Sequence, residues 1–492
     1  MSCISVLVAQ LVRAQVLYAC GRRFDPVLEH FKNEILTYIL IRSYTIMLTL
    51  QGYRIPKKAL EKEHHIKGLL TVKPYIPSVF VKPQYVQRFE IYRECPDFLY
   101  VPKHFGIERF GAIKETQRDV PQTDSKYWEF SGSIRSAQQP VVDSFLKPEP
   151  HDGIISLQTG GGKTVCGLYI ASQLKLPTLV LVHSGFLKDQ WVERISAFLP
   201  KARIGTIQGD VFDVENKDIV VGMLQSIALK DHHPTRFKSF GLVIVDECHH
   251  IASEVFSQAV PKLTSKYMLG LSATPERKDK LMHVIHWFLG PLLYVSNTAD
   301  KIDELVNVEV YEFEGDEKHN EIIYNSAGVM FSSLMVNKLA ENQERNKLLV
   351  SILEDVFDDE GRQILVLSDR VEHVKAIYEL LPERLREKAG ILARGMKPAV
   401  RDEFCKSKRI LIATYQLCKE GFDVPSLNTL LLATSRPDVD QIVGRILRVE
   451  KSKRSVHPLI LDVVDVPFRR QFQERLSLYN KRNYKVQKMK IS

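Results

Sequence analysis

With 492 residues, 45% of them hydrophobic, the chain has material for about three domains with true cores. Its net charge of +9 suits an acidic partner such as nucleic acid, although an ordinary basic protein would carry the same excess. Seven cysteines without a C-x-x-C pair argue against a zinc site and for a reduced, intracellular protein, and no apolar run reaches the length of a membrane span.

The first 46 residues read as foreign to the rest. SVLVAQLVRAQVLYAC could form an amphipathic helix or a poor signal peptide, but Arg13 interrupts it and no cleavage site follows. VAQLVRA (Val8–Ala14) followed by GRRFDP (Gly21–Pro26) resembles the translated D-arm and T-arm of a transfer-RNA gene. The expectation is that residues 1–46 are read-through upstream sequence and that the natural start is Met47.

Residues 47–125 form a basic, proline-rich N-terminal module. Pro56, Pro74, Pro77 and Pro83 preclude long helices, leaving room for a short one around Lys58–Gly68. FEIYRE (Phe89–Glu94), FLYVP (Phe98–Pro102) and KHFGIERFG (Lys103–Gly111) alternate in a way that suggests a small β-rich unit. His104, Phe105 and Arg109 are open to two readings: contact with nucleic acid, or packing against the next domain.

From 126 to 299, strand and helix patterns alternate, which implies parallel βαβ units in a doubly wound sheet. Ile154-Ile155 leads into SLQTGGGKT (Ser156–Thr164), and a helical stretch follows. Strand, glycine loop and helix together make a phosphate cradle: N–H groups of Thr159, Gly160, Gly161 and Gly162 converge, Lys163 reaches the β/γ-phosphates, and Thr164 binds Mg²⁺. The strict pattern asks for Gly where this chain has Leu157. VIVDECHH (Val243–His250) ends a second apolar run in acids; Asp246 would hold the Mg²⁺ shell and Glu247 would act as base or orient water. His249 and His250, adjacent on one segment with no further Cys/His cluster, do not make a zinc site. YMLGLSATP (Tyr267–Pro275) ends a third run, and Ser272 and Thr274 could hydrogen-bond the acidic motif.

Residues 300–325 are mixed and charged and read as a linker. In 326–470 a helical stretch through LMVNKLAENQERNKLLVSILEDVF precedes strands at QILVLSDR, GILARGMK and RILIATYQL. In DQIVGRILR, Gln441, Gly444, Arg445 and Arg448 stand at three- and four-residue spacing, one face of a helix. The basic tail, 471–492, interleaves cations with Tyr479 and Tyr484, which suits either base stacking or docking on the second lobe.

In order, SLQTGGGKT, DECH and LSAT resemble motifs I, II and III of superfamily 2 helicases and translocases. The resemblance covers about residues 50–485. It implies an α/β fold of two tandem RecA-like (P-loop NTPase) domains with a small N-terminal accessory module. It also implies a nucleic-acid-dependent ATPase using ATP and Mg²⁺. Gln138 stands where the family's adenine-recognising glutamine stands. LKDQW with Gln190, TIQG with Gln208 and Gly209, and GMLQSI with Gln225 look like motifs Ia, Ib and Ic, which line the nucleic-acid track. QILVLSDR with Ser368 and Arg370 looks like motif IV. Motif V carries Thr414 on the track, with Glu420, Gly421 and Asp423 coupling it to the nucleotide. Motif VI carries Gln441 and the arginine fingers Arg445 and Arg448, so catalysis would need the lobes to close.

The stretch Leu271–Asn297 is similar to XPB-type double-strand DNA translocases, in which an Arg-Glu-Asp element follows motif III; here Arg277, Lys278 and Asp279 stand there, a base replacing the central acid. LTVKP, LYVPKHFGIERFG and the Tyr/Lys tail resemble helicases of large nucleocytoplasmic DNA viruses, including the poxvirus transcript-release group. DNA is thereby favoured over RNA as track, with the transcription machinery as a further partner. A viral protein would sit in the host cytoplasm, a viral factory or the virion. The rivals are an RNA helicase, the motor subunit of a restriction complex, and a catalytically silent clamp.

Overall fold

The computed structural model describes residues 47–60, 63–75, 86–158, 160–250, 258–273, 279–296, 303, 305–325, 328–393, 396, 398–419, 424, 426–449 and 451–490. The expectations for residues 1–46, Thr159, Thr274, Arg277, Lys278, Glu420, Gly421 and Asp423 lie outside them. The chain divides into two compact units. One runs to Val295; the other comprises Ser296–Ser492 together with residues 77–80 and Leu157–Gly162.

The N-terminal module belongs to the first unit. Its strands are β1 (Met47–Thr49), β2 (Gly52–Pro56), β3 (Thr71–Val72), β4 (Phe89–Glu90), β5 (Arg93–Glu94), β6 (Phe98–Val101) and β7 (Glu115–Thr116). They form a five-stranded sheet in the order β5-β6-β2-β1-β7 and a separate β3-β4 ribbon. KHFGIERF, expected to be extended, is instead a helix, Lys103–Phe110. Phe105, Gly106 and Phe110 fall within one face and are buried, and Gly111 ends the helix at φ 101°. Gly106 has to be glycine, because a Cβ there would stand 2.2 Å from the Tyr53 ring.

This helix joins the module to the rest of the unit. Lys103 Nζ and His104 Nε2 lie 2.7 and 2.8 Å from the buried Asp152 carboxylate, and Phe105 packs edge-on to Trp287 at 5.0 Å. Of the two readings of His104 and Phe105, the geometry matches packing. Arg118 is buried beyond β7 and donates to the carbonyls of Thr264, Lys238 and Phe240. Burial pushes its guanidinium down to about 10.

The larger sheet of the first unit contains β8 (Gly153–Ser156), β9 (Thr178–Val182), β10 (Ile204–Gln208), β11 (Val211–Asp213), β12 (Ile219–Met223), β13 (Leu242–Val245), β14 (Tyr267–Ser272) and β15 (Leu292–Val295). Their order is β11-β10-β12-β9-β13-β14-β8-β15, parallel except for the β10-β11 hairpin. TLVLV of β9 and LVIV of β13 are wholly buried, as strands covered on both faces must be. Register aligns the carboxyl ends: Ser156 pairs with Ser272, and Val245 with Gly270 and Leu181. The loops after β8, β13 and β14 therefore leave from one edge.

The second unit has a wholly parallel sheet of β16 (Asn307–Phe313), β17 (Ile364–Ser368), β18 (Ala389–Ile391), β19 (Ile410–Thr414), β20 (Thr429–Leu432), β21 (Leu459–Asp465) and β22 (Lys485–Met489), in the order β18-β19-β17-β20-β21-β16-β22. Two segments expected to lie outside the lobe are strands of it. NVEVYEF, within the expected linker, buries Val308 and Val310 between β21 and β22. The tail supplies β22 and a helix, Arg469–Lys481, whose Phe472, Arg475 and Tyr479 are buried. Tyr479 donates to Asp462 at 2.9 Å and Tyr484 is buried too, so both tyrosines dock within the lobe. The long helical stretch is two helices, Ser332–Glu341 and Gln343–Phe357, broken at Asn342, whose side chain accepts from the Arg345 N–H.

Candidate nucleotide and nucleic-acid site

In the loop after β8, Gly160 and Gly162 both adopt φ 85°, a conformation that side chains with a Cβ rarely take. The helix Lys163–Leu174 starts directly after it, with Thr164 as its second residue. Within the first unit, Lys163 Nζ lies 3.0 Å from Glu247 Oε1. Glu247 itself sits at φ 46°, strained backbone of a kind that collects at functional positions. Asp246 is fixed on both oxygens: Oδ2 accepts from Trp191 Nε1 at 2.8 Å and Oδ1 from the Glu247 N–H at 3.0 Å. Ser272 Oγ lies 3.3 Å from His249 Nδ1, so the strand carrying LSAT touches the acidic segment through Ser272.

The two acids are electrically unlike. Burial first, then the adjacent Glu247 charge, push the Asp246 carboxyl up to about 6. Burial also opposes ionisation of Glu247, but the Lys163 ammonium followed by His249 outweighs it and holds that carboxyl below its usual range. Glu247 Oε2 is buried and accepts no hydrogen bond among the described residues, with His249 Nδ1 3.5 Å away. Trp191→Phe should remove the buried donor to Asp246 and lower stability by about 1.5–3 kcal/mol, read as a shift of the urea midpoint in far-UV circular dichroism.

Gln138 is buried at the start of the helix Gln139–Leu146, where its Oε1 accepts from the Arg135 N–H at 2.9 Å. The other predicted residues of this unit line one edge. Gln190 is half-buried on the helix Gly185–Phe198, Gln208 and Gln225 are exposed, and Gly209 is exposed at φ 55°. Lys188 Nζ bonds Gln208 Oε1 at 2.8 Å and the Gly209 N–H bonds Ser226 Oγ at 3.0 Å, which ties the three segments into a row. Lys188 and Ser226 were missed, although both stand inside the strings singled out. Lys262 was also missed: its buried ammonium donates to the carbonyls of Ile227, Ala228 and Lys230 and so fixes the end of the helix that carries Gln225. No motif marks it.

The second unit corrects several expectations. Ser368 is fully buried, its Oγ shared between His373 Nδ1 at 2.9 Å and the Arg370 N–H at 3.1 Å, so it organises its own turn rather than facing a strand of nucleic acid. The Arg370 guanidinium is engaged by Asn337 and Ser333 of the neighbouring helix. Thr414 ends β19 and accepts from the Leu417 N–H at 3.4 Å. The expected helix through motif VI stops at Val443. From Arg445 on, N–H groups reach back three residues instead of four, so Gln441, Gly444, Arg445 and Arg448 do not share a regular α-helical face. Arg445 is buried and donates to the Cys418 carbonyl at 3.0 Å, which links motif VI to the short helix within motif V, Tyr415–Lys419. The Asp279 Oδ1 caps the Leu281 N–H, a structural task for the one described residue of its element.

These features match known proteins. The family model described as "Type III restriction enzyme, res subunit" matches residues 131–277. A protein of Acanthamoeba polyphaga mimivirus, provisionally named an ATP-dependent RNA helicase, is 32% identical over 462 residues, covering 90% of this chain and 87% of its own length. The chain belongs to the superfamily 2 helicases. A second relative, from African swine fever virus strain Badajoz 1971 and also provisionally named an ATP-dependent RNA helicase, is 25% identical over 434 residues, 80% of this chain and 82% of that one. The solved structure of S. cerevisiae Dbp5 bound to RNA and ADP BeF3 superposes with a TM-score of 0.52 at 15% identity, over 72% of this helicase and 89% of Dbp5. The fold is two tandem RecA-like domains, and the enzyme is a nucleic-acid-dependent ATPase.

Proposed function

We propose that this helicase uses ATP to move along nucleic acid, with duplex DNA as its track. The observation that carries the catalytic part is the Lys163–Glu247 pair beside an Asp246 fixed by Trp191, at the edge where the two-glycine loop leaves β8. The donor set fits the nucleotide and its metal. The glycines keep Cβ atoms away from the loop N–H groups, Thr164 and Asp246 offer the hard oxygens that Mg²⁺ takes, and the orphaned Glu247 Oε2 is an acceptor awaiting a polar partner. Mg²⁺, when bound, supplies charge neutralisation to the phosphates. Loop N–H groups and Lys163 hold the phosphates, Gln138 the adenine, and Glu247 receives the proton of the attacking water at Oε2. The path Glu247–His249–Ser272 couples turnover to movement. Gln441, Arg445 and Arg448 serve hydrolysis as well.

The track is assigned to the row of Gln190, Gln208, Gly209 and Gln225, with Lys188 on a phosphate, and to Thr414 in the second unit. The resemblance of Leu271–Asn297 to XPB-type translocases favours duplex DNA. A role in transcript release beside the transcription machinery rests on the poxvirus resemblance. Two second readings have an observation behind them: the relatives' names favour RNA, and the description of the matching family model favours a restriction-type motor. Fluorescence anisotropy over a salt series decides among tracks. Duplex DNA should bind more tightly than single-stranded DNA or RNA, with affinity falling steeply as salt rises. Lys188→Ala should lower both the affinity and the salt slope. Tighter binding to RNA would overturn the DNA assignment.

A further inference from the structure

The second unit carries a cavity of about 440 Å³ that none of the proposed catalytic or track side chains lines. Four of its lining residues, Arg409, Gln363, Asn428 and Pro458, immediately precede β19, β17, β20 and β21, which are consecutive neighbours in the sheet. The cavity therefore lies at the amino edge of the sheet. Ser368 and Thr414 end β17 and β19 at the opposite edge, roughly 16 Å away at about 3.3 Å per residue. Ligands of such sheets ordinarily sit beyond the carboxyl ends, so this cavity is separate from the site described above.

Its lining is strongly cationic. Arg362, Lys406, Lys408, Arg409, Lys453 and Arg454 line it, and Glu360 is the acid among the lining residues. Asp359 bonds Arg362 at 2.9 Å and Asp303 bonds Arg454 at 2.6 Å. Arg409 is different: its guanidinium donates to the carbonyls of Phe357 and Asp359 and lies 4.2 Å from the centre of the Phe357 ring. Lys408 Nζ likewise donates to a carbonyl, that of Glu387, at 2.7 Å. Carbonyls and a ring face orient these cations without neutralising them. Like charges gathered in a partly enclosed space repel one another unless an anion joins them. The volume lies in the range of small-molecule sites, and planar guanidinium groups beside ammonium groups match the oxygens of a multiply charged phosphate.

We infer that this cavity is a binding site for a small phosphorylated molecule, distinct from the nucleotide site. Calorimetric titration of inorganic pyrophosphate at fixed ionic strength tests it. The parent is the full chain carrying Lys163→Ala, which weakens the phosphate loop's own hold on the probe. Its partner variant adds Lys406→Glu and Lys453→Glu; both lysines are exposed, so the unfolding midpoint should not move. The parent should show one saturable site, and the charge reversals should weaken it at least tenfold. If the double reversal perturbs folding, Lys406→Gln alone should still weaken binding about threefold. A parent without saturable binding, or a dissociation constant unchanged by the reversals, would overturn the inference.

Discussion

Glu247→Gln is expected to lower kcat for ATP by about 10²–10⁴, the usual contribution of a positioned general base. The amide keeps the shape of the side chain and an oxygen for Lys163 but cannot take a proton at Oε2. Nucleotide affinity, followed with a fluorescent ATP analogue, should therefore change little while steady-state phosphate release collapses. The contrast between the two neighbouring acids sharpens the expectation. Asp246 is buried with its carboxyl pushed up to about 6, whereas Lys163 and His249 keep Glu247 ionised. A variant retaining turnover within a few-fold of the parent would move the base elsewhere.

Asp465→Ala should destabilise the second lobe by about 3–5 kcal/mol, because it leaves a charge buried without its partner. Arg345, fully buried, makes a two-pronged pair with Asp465 at 2.6 and 2.9 Å and donates its remaining arm to the Ala433 carbonyl. His319 Nε2 lies 3.2 Å from the same carboxylate. The effect should be readable lobe by lobe: all three tryptophans, Trp128, Trp191 and Trp287, belong to the first unit. The far-UV transition of the variant should split, its early phase absent from tryptophan fluorescence. The same pair sets an acid limit. Burial alone would raise the Asp465 carboxyl, but Arg345 and then His319 bring it below its ordinary value. Its contribution is therefore complete above the unfolded carboxylate pKa of about 4 and is lost as pH falls towards the lower folded value. In Asp465→Ala the acid-induced loss of stability should be correspondingly shallower.

The parts of the fold that sequence reveals are those in which a local pattern and the final environment agree. TLVLV, LVIV and ILIAT are uninterrupted apolar runs, and each became a strand buried on both faces. The glycine loop, the Asp246-Glu247 pair and Ser272 could be placed because each follows such a run at the same edge of a sheet. Segments whose partners are distant in sequence were harder to read. NVEVYEF carries two glutamates and resembles a connector until β21 and β22, some 150 residues later, pair with its backbone and its valines join the core that holds Phe472 and Tyr479. KHFGIERF alternates weakly enough to look extended, and contacts with Asp152, Trp287, Tyr53 and the Lys266 carbonyl make it a docked helix. Ser368 follows an apolar run just as Ser272 does, yet His373 closes over it, a contact that no motif announces. Lys188 and Lys262 act through bonds to a side chain and to carbonyls, and spacing alone does not show either.

The loop, Lys163, Asp246 and Glu247 are expected to hydrolyse ATP in response to nucleic acid. Steady-state phosphate release by the full chain, with no polymer and with duplex DNA, single-stranded DNA or RNA, beside a Lys163→Ala variant, tests it most directly. Basal turnover should be slow, stimulation strong and largest with duplex DNA, and both should be lost in the variant. Turnover unaffected by every polymer, or preserved in Lys163→Ala, would contradict it.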